Sequence, residues 1–177
     1  MTTAPAVWYL MRASGVVALL LLTLSLSLGI ATSNRWRLRG AALYVTTTIH
    51  RNASLLAVVF LGMHILTALI DSDAAVNLAS ALLPIGPGIW LALGALSFDL
   101  VAAIVATSLL RKRLPYRLWR AIHWAAYASW PFAIWHGIGM GSDAATWWLR
   151  GVTILCVAWF AGVVVWRVSR HDRLAPA

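Results

Sequence analysis

The chain has 177 residues, 62% of them hydrophobic and only 11% charged, with a mean hydropathy of +0.82, against about 45–50% apolar and about 25% charged for an ordinary soluble domain. This excludes a soluble globular enzyme and predicts an all-α integral membrane protein, a single domain over residues 1–177, because apolar runs of about 18 or more residues are candidate bilayer-spanning helices. The net charge of +9 does not read as a nucleic-acid footprint, since the basic residues stand in short clusters between apolar runs.

Five spans are predicted, each long enough at about 1.5 Å per residue to cross ~30 Å of hydrocarbon. The first, Val7–Ala31, follows "MTTAPAVWYL", which has no basic n-region and leads into a run too long for a signal peptide, so it reads as a retained span. "AALYVTTT", 41–48, either extends the second span, Ile49–Ile70, toward the cytoplasm or lies at the interface. The connection Asp71–Gly88 is long for a compact domain and either caps the outer face or forms a plain interfacial turn. Then come Trp90–Leu110, Leu118–Met140 and Trp147–Trp166. Cys156, the single cysteine, sits in the last run and reads as a small core hydrophobe, and one thiol excludes an intrachain disulfide.

Arginine and lysine set the expected orientation. "SNRWRLRG", "RKRLPYR" and "RVSRHDRLAPA" are basic, whereas the alternate connections "DSDAAVNLASALLPIGPG" and "GSDAAT" carry only aspartates. The positive-inside rule then places the N-terminus outside and the C-terminus in the cytoplasm of a multi-pass membrane protein. Tryptophans agree, with Trp8, Trp90, Trp147 and Trp148 at predicted outer ends and Trp36, Trp119 and Trp166 at inner ends.

Within this apolar chain, four of five histidines fall inside spans: His50 and His64 on the second, His123 and His136 on the fourth. Ionisable groups in the bilayer are expensive and usually face the bundle interior. Fourteen residues separate His50 from His64, a rise of ~21 Å with the two rings within about 40° of one face. Both spans run in the same direction, so His50 and His123 share an inner level and His64 and His136 an outer one. Two imidazoles at each level, with no thiolate among them, suit a porphyrin iron with both axial positions filled, while zinc would want four protein ligands. Zinc or copper, a proton relay and purely structural imidazoles are the alternatives. The thirteen-residue interval from His123 to His136 gives an offset of about 140° on a straight helix. A kink at Pro131 is the expected remedy.

The histidine spacings, together with "WYLMRASG", "HRNASLLAVVFLGMHILTALID" and "RLWRAIHWAAYASWPFAIWHGIG", resemble the ferric reductase-like transmembrane domain, shared by ferric-chelate reductases, NADPH oxidases and the haem-bearing membrane subunit of the methionine sulfoxide reductase system. The resemblance covers most of the chain and is to bacterial short forms. It implies two b-type haems, the inner held by His50 and His123 and the outer by His64 and His136. Complete members carry a flavin and nicotinamide domain after the last span, and this sequence continues eleven residues past Trp166. The expected donor is therefore a separate flavin-containing protein or a quinol, with an electron acceptor outside.

Supporting roles are expected of a few charged residues. Arg12, Arg51 and Arg150 are candidates to meet haem propionates, with snorkelling to headgroups as the alternative. Asp99, near mid-membrane, is a candidate acceptor for an imidazole Nδ1–H or a neutral acid bonded to a neighbouring helix. Trp124, Tyr127, Trp130 and Trp135 read as pocket and core packing rather than as an electron relay. The functional expectation is a transmembrane electron carrier of the ferric reductase type. Its rivals are a haem-bearing subunit serving a partner reductase and, further off, a haem-free proton or metal transporter.

Overall fold

The computed structural model describes residues 5–33, 43–74, 76–85, 88–140 and 146–172. Trp36, the basic stretch 34–40, residues 141–145 and the tail from 173 lie outside the described residues. The chain is all-helical: α1 Pro5–Ser33, α2 Leu43–Ile70, a 3-10 turn Ser72–Ala74, α3 Leu78–Leu82, α4 Ile89–Leu109, α5 Tyr116–His123, α6 Ala126–Met140 and α7 Trp147–Asp172. Four of these, α1, α2, α4 and α7, are long and apolar enough to cross a membrane. Residues 43–48 of the "AALYVTTT" segment belong to α2.

The fourth predicted span is not one continuous helix. Between α5 and α6 the amides of Ala125, Tyr127 and Ala128 bond to the carbonyls three residues back, at 2.9, 3.1 and 3.0 Å, and Trp124 has ψ −21°, values of a 3-10 turn. Pro131 lies inside α6, and this change of winding comes before it.

Backbone groups in hydrocarbon must be satisfied within the protein, and the polar side chains of the spans follow the same economy. Ser14, Thr23, Ser27, Thr67 and Thr153 bond carbonyls one turn back on their own helices, at 2.6 to 2.9 Å, as hydroxyls in apolar helices do. Helix to helix, α1 and α2 form one closely packed antiparallel pair, tied by Ser25 Oγ to Ser54 Oγ at 2.6 Å. A second pair is α4 with α6, tied by Ser97 Oγ donating to the Ser129 carbonyl at 2.9 Å.

A core of Leu26, Trp130, Ile134 and Cys156 joins α1, α6 and α7, with the Trp130 indole donating to Thr23 Oγ1 at 2.8 Å and the Trp159 indole to Ser27 Oγ at 3.1 Å. Cys156 is buried there, as a small core hydrophobe should be. Leu55, Leu56 and Val59 of α2 and Ile154, Leu155 and Val165 of α7 point outward, the surface that lipid tails cover.

Asp71, Ala74, Val76 and Ala81 stand at one end of the bundle and line a cavity there. Asn77 caps α3 by accepting from the Ser80 amide at 2.9 Å while Ser80 Oγ accepts from the Asn77 amide at 3.1 Å, a reciprocal capping box. Ser80 and Ala81 are buried.

Candidate functional site

The cavity, about 510 Å³ and within the range of cofactor pockets, lies between the two helix pairs at the α3 end. His64 of α2 and His136 of α6 face each other across it, ring centroids 6.1 Å apart and planes at 81°. Nearer the opposite end, beside the basic connection 110–115, His50 and His123 form the second pair at 6.4 Å and 73°. All four rings are half-buried. The structure thus brings the four sequence-selected histidines together two by two, one member of each pair on α2.

Three of the four rings are seated in the same way. Nδ1 of His64 donates to the Met11 carbonyl at 2.8 Å, Nδ1 of His50 to the Ser25 carbonyl at 2.9 Å, and Nδ1 of His136 to the Trp90 carbonyl at 2.9 Å. A carbonyl can only accept, so Nδ1 carries the proton and Nε2 of the neutral ring keeps its lone pair. Four residues after each carbonyl stands a glycine: Gly15, Gly29 and Gly94.

The reason is local. A helical Cβ leans toward the N-terminus and covers the turn before it, so a side chain at that position would lie over the carbonyl. A Cβ on Gly94 would sit 2.5 Å from His136 Nδ1, one on Gly15 2.9 Å from His64 Nδ1, and one on Gly29 3.5 Å from His50 Cε1. Sequence reading missed these seats. A faint signal existed, since Gly15 and Gly29 on α1 repeat the fourteen-residue interval of His50 and His64 on antiparallel α2.

Among the described residues no group of three or more His, Cys, Asp or Glu gathers around a common point. Each pair therefore offers two nitrogen donors, the number a porphyrin iron asks of the protein. One metal bound at about 2 Å to each of two opposed nitrogens, with each ring centre about 1 Å further back, spaces the centroids by roughly 6 Å. The observed 6.1 and 6.4 Å match that spacing, so the residues fit the group.

The other selected residues divide. Arg12 lines the cavity with His64 and His136 and lies over the Trp8 ring at 5.2 Å. Arg51 and Arg150 are exposed and are not among the residues that line the cavity. Asp99 is half-buried on α4, and the acceptor role considered for it is filled at three rings by main-chain carbonyls. Of the tryptophans around α6, Trp130 is core, while Trp124 and Trp135 are each 53% exposed.

The family described as "Ferric reductase like transmembrane component" matches residues 14–134, a stretch that holds His50, His64 and His123 and ends two residues before His136. No curated protein and no solved structure matches the chain.

Proposed function

This chain belongs to the ferric reductase-like transmembrane family, a multi-pass membrane family of electron-transfer proteins that generally bind haem, and from that premise we propose that it carries electrons across a bacterial plasma membrane through two b-type haems. His50 and His123 hold the haem on the cytoplasmic side and His64 and His136 the haem on the outer side. The observation that carries the reading is the pair of facing imidazoles at each of two levels, 6.4 and 6.1 Å between centroids.

Bound haem supplies one-electron redox chemistry at its iron. The chain's own residues position it. The carbonyls of Met11, Ser25 and Trp90 fix three rings in the tautomer that presents Nε2 and raise its basicity. Arg12, in the cavity wall, offers a cation to a propionate of the outer haem. Asp71, Ala74 and Ala81, in the same wall, shield the outer site from water.

Orientation rests on charge. The connection with Arg111, Lys112 and Arg113 is the cytoplasmic face under the positive-inside rule, which puts the α3 end outside. Electrons enter from a separate donor, a flavoprotein or a quinol, and leave to an acceptor outside.

A reduced-minus-oxidised spectrum of the purified protein, with haem quantified per chain, tests the reading. Two low-spin b-type haems are expected. His64→Ala and His136→Ala are each expected to remove one and the same haem, and His50→Ala and His123→Ala the other. Loss of different spectral components within one pair would refute the assignment, and a protein that takes up no haem would refute the function.

A further inference from the structure

The three carbonyl and glycine seats leave one histidine without its counterpart. The odd one is His123, on α5 ahead of the 3-10 turn that leads into α6.

The His123 Nδ1 is buried with no hydrogen-bond partner, although the other three rings each have a carbonyl at 2.8 to 2.9 Å. What touches the ring instead is Trp119, one turn earlier on α5, stacked at 4.9 Å between centroids and 24° between planes. That indole is held in turn. Its Nε1 donates to Ser108 Oγ on α4 at 3.4 Å, and the Arg111 guanidinium lies over the ring at 4.6 Å.

We propose that Trp119 is the positioning residue of the fourth ligand, fixing by stacking the His123 ring that no carbonyl holds. The inference rests on the proposed haem at the His50 and His123 pair and goes beyond it. Two consequences follow from the chemistry. A ring held by stacking alone keeps its plane only while the indole is there. A ring whose Nδ1–H has no acceptor is also the weaker donor of the four, since hydrogen bonding at that atom is what raises ligand basicity. The pair nearest the basic connection is thus built with one strong and one weak ligand, and the pair at the α3 end with two strong ones.

The test compares Trp119→Ala and Trp119→Phe with wild type by low-temperature electron paramagnetic resonance and by redox titration followed optically. In Trp119→Ala, the low-spin signal and midpoint potential of the haem that His123→Ala removes are expected to shift, with retention of that haem falling about tenfold, the usual size of an outer-shell loss. The other haem stays unchanged. Trp119→Phe, which keeps a ring to stack, restores the signal.

Signals and potentials in Trp119→Ala identical to wild type, or equal shifts in both haems, would overturn the positioning role while leaving the di-haem reading intact. A wild-type protein without haem would overturn that reading and this inference with it.

Discussion

At the scale of single residues, the site depends on groups that have no side chain. Each seated imidazole is held by a main-chain carbonyl, and access to that carbonyl requires that nothing project from the position four residues on. The three glycines differ in how closely the ring approaches, with a Cβ meeting imidazole atoms at 2.5 Å for Gly94, 2.9 Å for Gly15 and 3.5 Å for Gly29. Contacts below about 3 Å force a shift, and here the partner is a rigid ring already bonded to backbone. Gly94→Ala is therefore expected to cost most of the haem held by His136, Gly15→Ala a smaller part of the same haem, and Gly29→Ala little of the other. Haem stoichiometry of the three variants, read spectrally, checks the order, and a larger loss in Gly29→Ala than in Gly94→Ala would contradict the seat. The histidines themselves were legible in the sequence because an imidazole among leucines stands out. Their seats were not, because a carbonyl belongs to every residue and a glycine in an apolar run reads as filler.

Among the elements, the instructive one is the α5 and α6 pair. The four long helices were legible from hydropathy alone, since each is an unbroken apolar run of bilayer length, and their ends fall near the expected ones. The break after His123 was not legible. Trp124 and Ala125 carry no turn signal, and Pro131, the one visible breaker, drew the expected kink to itself. Winding supplies part of the requirement: each residue turned at 3.0 instead of 3.6 per turn gains about 20°, so the three such bonds at the junction recover roughly 60° of the ~140° by which thirteen residues miss a common face.

The junction and Pro131 both lie between His123 and His136, the junction ahead of α6 and the proline within it. Pro131→Ala is expected to leave both haems in place. An alanine inserted between Trp124 and Ala125 would rotate α6 by about 100° against α5 and is expected to remove the haem held by His136. Haem content decides between the two sites of control, and loss in the proline variant with retention in the insertion would reverse the assignment.

For the whole molecule, two antiparallel helix pairs, α1 with α2 and α4 with α6, stand on either side of the imidazoles, and α7 closes against α1 through Trp159 and Cys156. Histidines of both levels come from both sides of the bundle. His50 and His64 ride on α2, steadied by α1, while His123 and His136 ride on α5 and α6, steadied by α4. Because the fourteen residues between the two ligands on α2 rise ~21 Å, the two levels together span most of a ~30 Å hydrocarbon core. A chain that only anchored a partner would need no second level, whereas transfer from face to face needs both.

That difference can be measured with protein reconstituted in sealed vesicles, using a membrane-impermeant ferric chelate outside and a low-potential reductant trapped inside. For molecules oriented with the basic face toward the trapped reductant, external iron is expected to be reduced in wild type. The rate should fall at least about tenfold in both His64→Ala and His50→Ala, because removing either haem leaves a gap of bilayer half-thickness. Transfer that persists in His50→Ala but not in His64→Ala would mean that the inner pair is structural and that the outer haem is reached from within the membrane. That outcome would move the donor from a soluble flavoprotein to a quinol.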